Sequence, residues 1–113
     1  MNNARRSKRR KAEENLPVVD TMTGQCIGRI GDLSTEGLML ITEQRLHDDA
    51  LYQLSFHLPD TRGLPALIEI GVHEQWTAPA SVPGQFWSGF RIIDMASRDL
   101  DLIADWLDRE DRS

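Results

Sequence analysis

The segment YQLSFHLPDTRGLPALIEIGVHEQW, Tyr52 to Trp76, alternates apolar and polar residues in two runs. Tyr52, Leu54, Phe56 and Leu58 are separated by Gln53, Ser55 and His57, and Ile68, Ile70 and Val72 by Glu69, Gly71 and His73. Successive side chains of an extended chain point to opposite faces, so a period of two specifies strands with one buried face. Pro59-Asp60 breaks the first run, and the second extends to Trp76 before Pro79 and Pro83 mark a loop.

The same texture continues on both sides. Leu16 to Met22 and Cys26 to Leu33 flank Thr23-Gly24-Gln25, a spacing suited to a tight hairpin in which glycine supplies the unusual φ. Ser34-Thr35-Glu36-Gly37 reads as the next turn and opens the apolar run Leu38 to Ile41, and Phe86 to Ile93 is the last strand. The period then changes: Leu100, Ile103, Ala104 and Leu107 fall at i, i+3, i+4 and i+7, which predicts an amphipathic helix over about 97–109 with Ser97 as N-cap. Six short antiparallel strands with a C-terminal helix predict an all-β fold, a six-stranded antiparallel small β-barrel rather than an open sheet with two exposed edges. In such a barrel, uninterrupted alternation turns Trp76 inward near one mouth.

At 113 residues the chain has the size of one domain. No apolar run approaches the roughly 18 residues of a spanning helix, the charged N-terminus is not followed by the apolar segment of a secretory signal, and the lone Cys26 supports no disulfide framework. A cytoplasmic protein without membrane insertion is expected. Charge is uneven: residues 1–11 carry six bases and no acid, whereas the rest carries 7 bases against 18 acids, for a net charge of −5. The chain thus divides into a flexible basic arm, residues 1–14, and a barrel with its helix, residues 15–113.

Catalysis has no support in the pattern. His47, His57 and His73 fall in different elements with no metal-ligand spacing between them, and Gly28 to Gly31 lies inside a strand rather than at a phosphate-binding turn. Two other motifs carry chemistry. ARRSKRRKAEE, Ala4 to Glu14, holds Arg5, Arg6, Arg9 and Arg10, which give RxxxR spacing as Arg5 with Arg9 or as Arg6 with Arg10. Guanidinium groups bind phosphate bidentately and stack on base faces. DLSTEG, Asp32 to Gly37, offers two readings: Asp32 and Ser34 present acceptors and a donor to a guanine edge, or they cap a turn through local hydrogen bonds. Gly37 permits close approach of a ligand or a neighbouring backbone. Trp76, Trp87 and Trp106 read first as packing residues, with Trp76 also a candidate for ligand stacking.

Taken together, an N-terminal RRxxR, a first hairpin, DxSxxG, small-barrel strands, a WSGFRIIDM strand and a closing helix resemble the PilZ domain family over nearly the whole chain. The resemblance implies a noncatalytic bacterial receptor for cyclic di-GMP, with no further cofactor and no metal. It assigns Arg5, Arg6, Arg9 and Arg10 to phosphate clamping and guanine stacking, and Asp32, Ser34 and Gly37 to reading a guanine edge and shaping the turn. It also implies a signal passed to a partner protein in motility, pili, exopolysaccharide or biofilm formation. Two alternatives are a PilZ-like adaptor that binds no nucleotide and a nucleic-acid-binding barrel with a basic arm. The acidic body, lacking interleaved basic and aromatic residues, argues against nucleic acid as the partner.

Overall fold

The structure, a computed structural model, describes residues 8–111. Its strands are β1 (Arg10–Lys11), β2 (Pro17–Asp20), β3 (Gln25–Leu33), β4 (Gly37–Thr42), β5 (Leu51–Pro59), β6 (Pro65–Pro79) and β7 (Phe86–Met95), followed by the helix α1 (Ser97–Asp111). Strands β3, β2, β5, β6, β7 and β4 neighbour one another in that order, and β4 pairs back onto β3, closing a six-stranded antiparallel barrel. The all-β architecture with a C-terminal helix is the one that the alternation predicts.

Alternation maps onto burial strand by strand. Leu54, Phe56 and Leu58 from β5, Ile68, Ile70 and Val72 from β6, and Leu38 and Leu40 from β4 are each at most 2% exposed and fill the interior. Removing each such side chain from water contributes about 1.5–3 kcal/mol. The hairpin turn after β2 places Gly24 at φ +76°, the left-handed conformation that glycine adopts without a Cβ penalty.

The sheet reaches further back than the pattern indicates. Within the segment read as an arm, Arg10 and Lys11 pair with Leu33 and Asp32 of β3, and the Ala12 amide donates to the Gly31 carbonyl (3.0 Å). Two residues are too few to show a period, and their charge masked the strand. Because neighbours in a strand point to opposite faces, Arg9 and Arg10 diverge. Arg10 Nη1 donates to the Trp106 carbonyl (2.6 Å), and its guanidinium lies 4.1 Å from the centroid of the Trp106 ring.

The buried stripe of α1 is Ile103, Trp106 and Leu107, whereas Leu100 is 39% exposed. The helical period therefore holds, but its apolar face is centred on the tryptophan rather than on Leu100. The first-turn amides of Asp99 and Leu100 donate to the Ala96 carbonyl, so the helix is initiated at Ala96 rather than capped by Ser97. At the other end, Arg109 donates to the carbonyls of Asp60 (2.8 Å) and Pro59 (2.5 Å), tying α1 to the β5–β6 turn.

Two predictions arise from these anchors. Arg10→Ala removes both a charged hydrogen bond and a cation–π contact, and should lower the urea unfolding free energy by about 1–2 kcal/mol, whereas Arg9→Ala, losing an exposed ion pair, should shift it by less than about 1 kcal/mol. Equal effects would refute a structural role for Arg10. In the β5–β6 turn, the Leu64 and Arg62 amides and the Arg62 guanidinium donate to Asp60, holding its carboxyl below the usual carboxylate range. Its contribution is complete above the unfolded value of about 3.9 and is lost as pH falls through the lower folded value. The stability gap between wild type and Asp60→Asn in denaturant titrations should therefore be present at neutral pH and close in acid; a gap unchanged with pH would contradict this.

Candidate functional site

The end of β3, the turn into β4 and the facing parts of β6 and β7 border a surface depression of about 520 Å³, lined among others by Arg9, Asp32, Gly37, Trp76, Gly89 and Arg91. Arg9, immediately before β1, donates from Nη1 to Asp32 Oδ1 (2.5 Å). Both side chains retain solvent access, at 48% and 23%. A pair this exposed is worth about 0.2–1 kcal/mol, so separating the carboxylate from the guanidinium costs little.

Ser34 lies at the base of the depression and is 1% exposed. Its Oγ accepts from the amides of Glu36 (3.1 Å) and Gly37 (3.0 Å) and donates to the Gly37 carbonyl (3.1 Å). The hydroxyl thus closes the turn, which is the local-capping reading of Asp-x-Ser, while Asp32 two residues earlier faces Arg9. Gly37 is required by close approach: a Cβ there would lie 2.5 Å from the Phe90 carbonyl oxygen and 3.4 Å from Arg9 Nη2.

Trp76 occupies the opposite wall, but not in the orientation that uninterrupted alternation predicts. The β6–β7 register shifts between Glu74 and Trp76, and this bulge turns the indole outward, 48% exposed, instead of into the barrel. The ring lies across Gly89 of β7, where a Cβ would stand 2.2 Å from Trp76 Nε1. A second glycine serves Met39 in the same way: a Cβ on Gly31 would lie 2.7 Å from the thioether methyl. Behind the bulge, the Glu74 carboxylate, 2% exposed, accepts from the Asp49 amide (2.7 Å) and the Thr77 hydroxyl (2.7 Å). The bulge is therefore pinned from inside the barrel.

Among the residues singled out from sequence, Arg9, Asp32, Ser34, Gly37 and Trp76 come together at this depression. Arg10 does not line it, and Arg5 and Arg6 lie outside the described residues. Sequence reasoning missed Gly89 and Arg91. Both belong to the WSGFRIIDM strand, but nothing in its pattern marks which residues face the depression. Trp106 is fully buried, and Trp87 is 39% exposed on β7. Among the described residues, no group of three His, Cys, Asp or Glu side chains is arranged to hold a metal ion.

A family model described as the PilZ domain matches residues 3–109. No curated protein matches the sequence. Among solved structures, the Bacillus subtilis inhibitor of motility MotI/DgrA superposes with a TM-score of 0.74 at 11% identity, over 92% of this chain and 49% of that one. The chain thus spans about half the length of that neighbour, and the likeness is one of fold. With nearly the full length matched and the closed barrel and helix in place, the chain belongs to the PilZ domain family.

Proposed function

We propose that this chain is a noncatalytic receptor for cyclic di-GMP that acts in a bacterial cytoplasm and relays the signal to a partner protein. The observation that carries this reading is the convergence of Arg9, Asp32 and an outward Trp76 on one depression, from three separated parts of the chain. Such a set offers a guanidinium for phosphate, a carboxylate for the N1–H and N2–H₂ donors of guanine, and an aromatic face for stacking. The Arg9–Asp32 pair acts as a latch in the free protein. A phosphate takes over the guanidinium, and the released carboxylate accepts from the base.

Arg5 with Arg9 is the arginine register we favour, since Arg9 borders the depression while the neighbouring Arg10 points to Trp106. Ser34, through its hydroxyl, and Gly37 contribute by fixing the turn rather than by contact with the ligand. Motility is one candidate process, suggested by the similarity of fold to the Bacillus subtilis inhibitor of motility. Among the described residues no helix is long and apolar enough to cross a membrane.

Calorimetric titration with cyclic di-GMP tests the reading: a saturable isotherm is expected, and the absence of binding heat at several temperatures would leave an adaptor that takes no nucleotide. Asp32→Ala should weaken binding tenfold or more and reduce the preference for cyclic di-GMP over cyclic di-AMP. A parallel loss for both ligands would rule out edge reading by Asp32. Trp76→Ala should cost about five- to a hundredfold, the range of one base–aromatic stack. Gly89→Val, which displaces the indole from its seat, should reproduce much of that loss while the far-UV spectrum stays that of a folded barrel. Full affinity in both variants would remove Trp76 from the site.

A further inference from the structure

Arg9 is not the depression's sole guanidinium. Arg91 lines it from β7, in register with Gly37 of β4 on one side and His73 of β6 on the other. The lack of a Cβ at Gly37 leaves bare backbone between the two arginines, with Arg9 Nη2 close to the position such a Cβ would take.

The two cations differ in how they are held. Arg9 is engaged by Asp32, and it belongs to the N-terminal segment. Arg91 is exposed, and among the described residues no hydrogen bond or ion pair engages it. Its neighbour His73 does not compete for an anion, because its ring nitrogens are already placed against Asp49 Oδ1 (2.5 Å) and the Gln75 amide (3.0 Å). The strand bearing Arg91 is paired on both sides, with β4 and with β6. Its backbone is fixed before any ligand arrives, so contact through Arg91 requires little ordering beyond the side chain itself.

Cyclic di-GMP carries two phosphodiester charges, and one guanidinium satisfies one phosphate bidentately. Resting on the receptor reading above, we propose that Arg91 is a phosphate-binding residue, the wall-mounted partner of Arg9 in a two-arginine grip across Gly37. Arg91 is available in the free protein, whereas Arg9 joins after leaving Asp32.

Calorimetry on the full chain with cyclic di-GMP, for wild type, Arg9→Ala, Arg91→Ala, Arg91→Lys and Arg62→Ala, tests this. Arg62 lies in the β5–β6 turn and does not line the depression, so it controls for net charge. The expected result is at least tenfold weaker binding for Arg91→Ala at unchanged melting temperature, an intermediate loss for Arg91→Lys, and Arg62→Ala within twofold of wild type. Arg91→Ala within twofold of wild type, with Arg9→Ala weakened, would overturn the role of Arg91 and leave the receptor reading intact. Equal losses in Arg91→Ala and Arg62→Ala would reduce the effect to overall charge and likewise overturn it. No binding by wild type would remove the receptor reading and this proposal with it.

Discussion

Pairing of β4 back onto β3 is the constraint on which the rest of the structure depends. It joins the two ends of what is otherwise a six-stranded meander with crossovers, through the register Arg29 with Ile41, Ile30 with Leu40, Asp32 with Met39 and Leu33 with Leu38. Closure removes the exposed edges that an open sheet would carry and surrounds one continuous core of leucine, isoleucine, valine and phenylalanine. It also sets where the turn Ser34–Glu36 stands. That turn is the hairpin between the two closing strands, so Asp32 before it is paired with Met39 of β4, while Gly37 after it is paired with Arg91 of β7.

The candidate site is built on the outside of this wall by departures from regular pairing. Register shifts occur on β3 beside Asp32 and on β6 beside Trp76, and each re-aims a side chain that regular alternation would have sent elsewhere. Glycines at 31, 37 and 89 then flatten the surface so that a thioether, a guanidinium and an indole can lie against backbone. Buried hydroxyls and a buried carboxylate hold these irregularities from beneath: Ser34 within its turn, Glu74 and Ser88 around Thr77. Polar groups at such depth are tolerated because each has a partner.

How much of this was legible beforehand follows from the physics of each feature. Alternation in β5 and β6 and the change to a helical period after Met95 specified barrel and helix, because burial on one face is a strong constraint on sequence. The family motifs marked Asp32, Ser34 and Gly37. They left the arginine pairing open, since Arg5 with Arg9 and Arg6 with Arg10 have the same spacing. What separates Arg9 from Arg10 is a two-residue strand, too short to have a period. The outward turn of Trp76 depends on a bulge, which a one-residue count along the chain does not reveal, and Gly89 becomes meaningful only beside the tryptophan that lies on it. The helix face differs for another reason: the i, i+3, i+4, i+7 pattern from Leu100 leaves out Trp106, which packs at the centre of the buried stripe, while Leu100 stays 39% exposed.

β1 has one further consequence. Strand β3 pairs with β2 through residues 25–29 and with β4 through residues 29–33, so the detachment of Arg10–Lys11 leaves the barrel closed. A local opening at this point gives up the two-residue ladder, the Ala12–Gly31 hydrogen bond and the contacts of Arg10 with Trp106, and leaves the rest of the core covered, which places it well below global unfolding in free energy. The molecule therefore keeps its mechanical rigidity and its conformational freedom in separate parts of the chain: the wall is stiff, and the short segment carrying Arg9 and Arg10 is the piece that can peel away and reseat without disturbing it.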